Sequence, residues 1–218
     1  MTDRPILFSA PMVCALLAGT KTQTRRILKT RKQPSLIDGT WADSYVLDPG
    51  NADWLARDVR FAVGDRLWVK ETWACHWSTD DQKPSDIQSD LWSVRYFADD
   101  HIRPAERDGS LALLDQCQKK RVSIFMPRWA SRTTLNVTDV RVERLQDISE
   151  ADAKAEGLQR RMDWLPQYRG SDSLPWRSEF PRDAYHDLWN SMNGAGAWER
   201  NPWVVALTFD VEQRNIDT

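Results

Sequence analysis

The chain has 218 residues, 41% hydrophobic and 28% charged, with a formal net charge of -2. That is the composition of a globular protein with one or two real cores, since a chain of this size buries about 70–75% of its unfolded surface on folding. It excludes a chain-wide bias toward polyanions, and the apolar runs fall short of the roughly 18 residues that a membrane span needs.

The start, Met1 to Phe8, lacks the charged and apolar pattern of a secretory leader, and the three cysteines Cys14, Cys75 and Cys117 are an odd number. Together they predict a cytoplasmic protein with no disulfide framework. Pro5 to Ser9 reads as a short strand. Met12 to Ala18 reads as a helix stopped by Gly19, a residue suited to the left-handed turn after a helix end. Next comes Gly19-Thr20-Lys21-Thr22-Gln23-Thr24-Arg25-Arg26, a tract of cations and hydroxyls, and Thr22 to Leu28 reads as a strand. Lys21 and Thr24 are three apart, so a regular strand points them to opposite faces; they converge only if Lys21 lies in the turn or the chain bends.

Residues 29–60 carry turn signals, Asp38-Gly39 and Asp48-Pro49-Gly50, and read as a loop-rich insertion. Gly64-Asp65 then feeds a strand in which Leu67, Val69, Glu71 and Trp73 share a face. A carboxylate among apolar neighbours calls for a partner. Residues 76–128 read as a second insertion around a strand at Leu91 to Phe97. Cys75, His76, His101 and Cys117 show no metal-ligand spacing, so neither a metal nor another cofactor is expected. Lys119, Lys120, Arg121, Arg128 and Arg132 surround Trp129 with no acid between them, a pairing suited to phosphate and nucleobase.

Thr133 to Leu145 alternates as one long strand. Ser149 to Gly157 has the N-cap and glycine stop of a helix, with Glu156 in its last turn. An acid there opposes the helix dipole, which marks Glu156 as a residue with a specific partner. Residues 158–181, rich in Arg, Trp, Ser and Pro, read as a loop. A helix from Asp183 to Gly194 and a strand from Trp203 to Val211 close the chain. The order predicts an α+β fold with a largely antiparallel sheet, closed or nearly closed on itself.

Four blocks, Gly19 to Arg26, Val63 to Val69, Ile148 to Ala153 and Trp203 to Val205, resemble the ASCH domain, in the variety carried by phages and prophages. The resemblance implies a single domain over 1–218: a PUA-like β-barrel with peripheral helices and the two insertions. Small bacterial members of the wider family are N(4)-acetylcytidine amidohydrolases that use a Lys, a Thr three residues on and a Glu on a later helix. Those positions fall on Lys21, Thr24 and Glu156. The implied substrate is an N(4)-acylated cytosine nucleoside, with Thr22, Arg25 and Arg26 near the developing oxyanion, Trp73 or Trp129 stacked on the base and Glu71 accepting from an exocyclic amine. The other partner that the resemblance implies is RNA, held by a PUA-like binding module or cut by a ribonuclease, with Lys119 to Arg132 as the footprint.

Overall fold

The computed structural model describes residues 2–28, 42–53, 59–87, 92–105, 119–163, 165–169 and 180–218, by backbone alone over 159–169. The Asp38-Gly39 turn, Leu91, Cys117 and residues 170–179 lie outside the described residues. Among those described, the element order is β1 (Asp3–Leu7), α1 (Ala10–Leu17), β2 (Gln23–Ile27), α2 (Asp43–Val46), β3 (Arg66–Lys70), β4 (Trp73–Ala74), β5 (Val94–Tyr96), β6 (Ile102–Arg103), β7 (Thr134–Arg144), α3 (Glu150–Ala155), β8 (Gln159–Asp163), β9 (Leu165–Arg169), α4 (Pro181–Asn193) and β10 (Trp203–Glu212).

The fold is α+β. Five strands are hydrogen-bonded in the order β1-β3-β7-β10-β2, three in the order β4-β5-β6, and β8 and β9 form a hairpin. β1 runs parallel to β3, with Leu7 beside Lys70, while β3 with β7 and β10 with β2 are antiparallel. Among the described residues no strand order closes on itself. The first strand lies two residues earlier than the sequence suggests, because Ser9 is the N-cap of α1 and Pro11 sits in its first turn, where a missing N–H is harmless. The stretch 158–181, expected to be a loop, contains the β8–β9 hairpin, with Asp163 paired to Leu165.

Contacts divide the chain into two compact units. One comprises Thr20–Asp65 and Val137–Asp210, the other Thr2–Gly19, Arg66–Asn136 and Val211–Thr218. In the first, Trp203 to Leu207 are buried one after another, the mark of a strand covered on both faces. β2 lies beside it, with Leu207 opposite Thr24 and Ala206 opposite Arg25. α4 buries Pro181, Ala184, Tyr185, Leu188 and Trp189, a stripe of helical period, and packs on α3. α3 also contacts β2. Its N-terminus is capped by Ser149, whose hydroxyl accepts from the Asp152 N–H at 3.0 Å. Ser149→Ala is expected to lower stability by about 1 kcal/mol, read from urea denaturation midpoints.

The second unit has its own core, in which Trp73, Cys75, Ile87, Val94, Tyr96, Met126 and Ala130 are buried together and Trp92 and Trp129 pack against them. Asn215 donates to the carbonyls of Arg128, Trp129 and Ser131 and so fixes that segment. No helix among the described residues is long and apolar enough to cross a membrane.

Candidate functional site

The site lies in the first unit, where β2, β7, α3 and α4 meet. Gly19, at φ 70°, ends α1 in the left-handed region that favours glycine. β2 begins only at Gln23, so Lys21 precedes the strand and pairs instead as an isolated antiparallel bridge with Glu156. The Thr22 N–H donates to the Ala155 carbonyl (2.8 Å), and the Thr22 carbonyl accepts from the Phe209 N–H (3.0 Å). The approach to β2 is thus fixed between the end of α3 and β10.

That placement brings Lys21 and Glu156 together, 135 residues apart in sequence. Lys21 Nζ donates to Glu156 Oε2 at 2.7 Å and to the Glu156 carbonyl at 2.9 Å. The second bond satisfies a carbonyl that the end of α3 leaves without a helical donor, and a cation at a helix C-terminus is favoured by the dipole. Lys21 is 1% exposed and Glu156 4%. Burial pulls the Lys21 ammonium below its ordinary pKa, against the attraction of Glu156; Arg26 and Arg25 push in the same direction as burial.

Glu156 has more donors than Lys21. Its Oε1 accepts from Arg25 Nη1 at 3.3 Å and from the Tyr185 hydroxyl at 3.2 Å. The Arg25 side chain, fully buried, also pairs with Glu143 (2.7 Å) and Asp152 (3.4 Å) and donates to Gln23 Oε1 (3.3 Å). Burial opposes its charge, yet the carboxylates of Glu156 and Glu143 outweigh that and hold it above the usual arginine value. Thr24 lies on the other side of the strand alternation. The residue is 1% exposed, and its hydroxyl accepts from Arg26 Nη1 at 2.8 Å. Arg26 itself is half-buried and held below the usual arginine value by burial. The two i,i+2 contacts, Gln23 with Arg25 and Thr24 with Arg26, trace the period of a regular strand. Thr22 is exposed.

Comparison with protein-family models, curated proteins and solved structures finds no match to this chain.

A buried ammonium destabilised by its surroundings and held against a carboxylate is a proton donor–acceptor pair, and such perturbed groups concentrate at functional sites. An arginine that donates to a threonine oxygen stabilises that oxygen as it loses its proton.

The remaining residues singled out in the sequence belong to the second unit. Glu71, 1% exposed, is bound bidentately by Arg132, with Nε to Oε1 at 2.9 Å and Nη2 to Oε2 at 3.0 Å. Trp73 is fully buried, with the edge of Trp129 against it at a ring separation of 6.0 Å. The cations of Lys119 to Arg132 have internal contacts. Lys119 Nζ donates to the Asp80 carbonyl (2.6 Å), Lys120 lies over the Phe97 ring, and Arg121 donates to the Thr79 and Gln82 carbonyls. Arg128 pairs with Asp3 and Asp217, and Arg132 with Glu71 and Asp99. Cys75 Sγ donates to the Ser93 carbonyl inside the core and His76 stacks on Trp92. The described residues hold no group of three metal-binding side chains.

Tyr185, like Glu143 and Asp152, is a residue of the candidate site that the sequence pattern did not single out. It stands in the apolar stripe of α4, where it reads as core; a buried tyrosine hydroxyl, however, ordinarily has a hydrogen-bond partner, and that was the available signal.

Proposed function

We propose that the chain is an amidohydrolase of the ASCH type, on a PUA-like barrel framework, that removes the acyl group from N(4)-acylated cytosine nucleosides such as N(4)-acetylcytidine. The observation that carries this reading is the buried Lys21–Glu156 contact of 2.7 Å on the lead into the strand that bears Thr24. Burial supplies what a lysine base requires, a pKa below its ordinary value.

The reaction requires the neutral Lys21 amine to reach the Thr24 hydroxyl and take its proton as Thr24 Oγ1 bonds to the acyl carbon. Arg26, already donating to that oxygen, offsets its developing charge. As the tetrahedral adduct collapses, the bond from acyl carbon to N4 breaks and the proton held between Lys21 and Glu156 passes to the leaving amine. Water then cleaves the threonine ester to release the carboxylic acid. Because Lys21 and Thr24 are both 1% exposed, substrate entry has to open the site.

Purified protein is expected to release cytidine from N(4)-acetylcytidine, and Thr24→Val to remove that release while leaving the far-UV circular dichroism unchanged. An inert wild type, or a Thr24→Val protein as fast as wild type, overturns the reading.

A further inference from the structure

The Glu156 carboxylate has an asymmetric set of donors. Oε2 faces Lys21 alone among the hydrogen bonds above, whereas Oε1 takes both Tyr185 and Arg25. Two donors on one oxygen fix the plane of the carboxylate and leave the other oxygen directed at the ammonium. Arg25 is itself shared among Glu143, Asp152 and Glu156, so its charge is divided between three carboxylates. Among the described residues the Tyr185 hydroxyl makes one hydrogen bond, to Glu156. Its ring is confined, tilted against Trp189 at 6.1 Å and edge-on to Trp198 at 6.3 Å, so the hydroxyl has little freedom to turn away. Burial holds the phenol well above its ordinary pKa, so it remains a neutral donor throughout the working pH range. The titratable neighbours of Tyr185 on α4, His186 and Asp187, pair with each other, and His186 with Glu199.

We propose that Tyr185 is a positioning residue of the site: its hydroxyl, aimed at Glu156 Oε1 from α4, takes up part of the carboxylate's charge and so sets how tightly Glu156 holds the Lys21 proton. Among the described residues the charged groups that face the pair are Arg25 and Arg26 from β2 and, through Arg25, Glu143 from β7 and Asp152 from α3. None of them replaces a donor lost from α4. Without the hydroxyl, Glu156 is less satisfied and attracts the Lys21 proton more strongly, which raises the pKa of Lys21 and shifts the onset of its base form to higher pH. The catalytic consequence rests on the amidohydrolase reading; the proton-holding consequence does not.

The test is the titration of Lys21 Cε by NMR in the full chain labelled with 13C-lysine. Tyr185→Phe, which keeps the ring and its packing, is expected to raise the midpoint by about one pH unit. 3-Fluorotyrosine at position 185, a stronger donor, is expected to lower it. In the hydrolase assay, the acidic limb of kcat/KM for Tyr185→Phe is expected to move upward with the NMR midpoint, with roughly tenfold lower kcat/KM at neutral pH, the loss of one hydrogen bond to a charged group. Unchanged Lys21 midpoints in both variants overturn the proposal. If Tyr185→Phe does not fold, the fluorotyrosine titration decides alone. A wild type that does not hydrolyse the nucleoside overturns the proposed function, and the NMR midpoints still decide the role of Tyr185.

Discussion

Lys21→Met is expected to destabilise the protein by about 3 kcal/mol at pH 7, at the lower end of what breaking a buried ion pair costs, and to abolish the proposed hydrolysis. The loss comes less from the attraction removed than from the carboxylate left behind: Glu156 is 4% exposed and, among the described residues, keeps the side-chain donors Arg25 and Tyr185. The double variant Lys21→Met/Glu156→Gln removes both charges while Gln still offers an oxygen to Tyr185. It is expected to recover most of the loss, giving a coupling energy of about 2 kcal/mol in a double-mutant cycle from urea denaturation. Additive single effects would show that the two side chains do not act as a pair. The pH dependence has a definite sign. Burial lowers the Lys21 pKa in the folded state, so between that value and the ordinary lysine value the unfolded chain binds the extra proton. Stability therefore rises with pH through that window, and the Lys21→Met protein lacks that rise.

Much of the local structure around the candidate site was legible because it depends on local rules. Gly19 as helix stop, Ser149 as cap and the strand period around Thr24 placed Lys21, Glu156 and Thr24 on a turn, a helix end and a strand. The acid at the end of α3 announced its need for a partner through the helix dipole alone. Lys21 precedes β2, which starts at Gln23, and is held there by its bridge to Glu156. What could not be read is which distant side chains converge. Glu143 and Asp152 lie 118 and 127 residues beyond Arg25, and nothing in the alternation of β7 or the pattern of α3 singles them out. The β8–β9 hairpin was missed because Arg160, Arg161 and Pro166 break the alternation by which strands are recognised. Glu71 needed a partner by the same argument as Glu156, and Arg132 supplies it; the sequence had grouped that arginine with a basic patch.

Arg132 carries the other large expected effect. It binds Glu71 and Asp99, each through two nitrogens, and lies 4.2 Å from the Tyr96 ring, joining two carboxylates and an aromatic face. Arg132→Leu leaves Glu71 buried without its guanidinium and is expected to cost about 3–5 kcal/mol at pH 7. Glu71→Gln is expected to cost less, about 1–2 kcal/mol, because Arg132 keeps Asp99 and the amide oxygen still accepts. The Glu71 pKa is already raised, burial outweighing Arg132, and removal of Arg132 raises it further. The folded state then binds a proton that the unfolded chain has released, so stability falls as pH rises from the ordinary carboxylate value through the raised one. Arg132→Leu is accordingly expected to regain stability on acidification from pH 7 toward pH 5, measured as the urea midpoint, before general acid unfolding begins. A loss for Arg132→Leu that is independent of pH across that range would show that packing on Tyr96, rather than charge on Glu71, is what Arg132 provides. Because the Glu71 carboxylate holds Arg132 among the described residues, Glu71→Gln is expected to leave KM for the proposed substrate N(4)-acetylcytidine unchanged, and a raised KM would show that this carboxylate meets substrate.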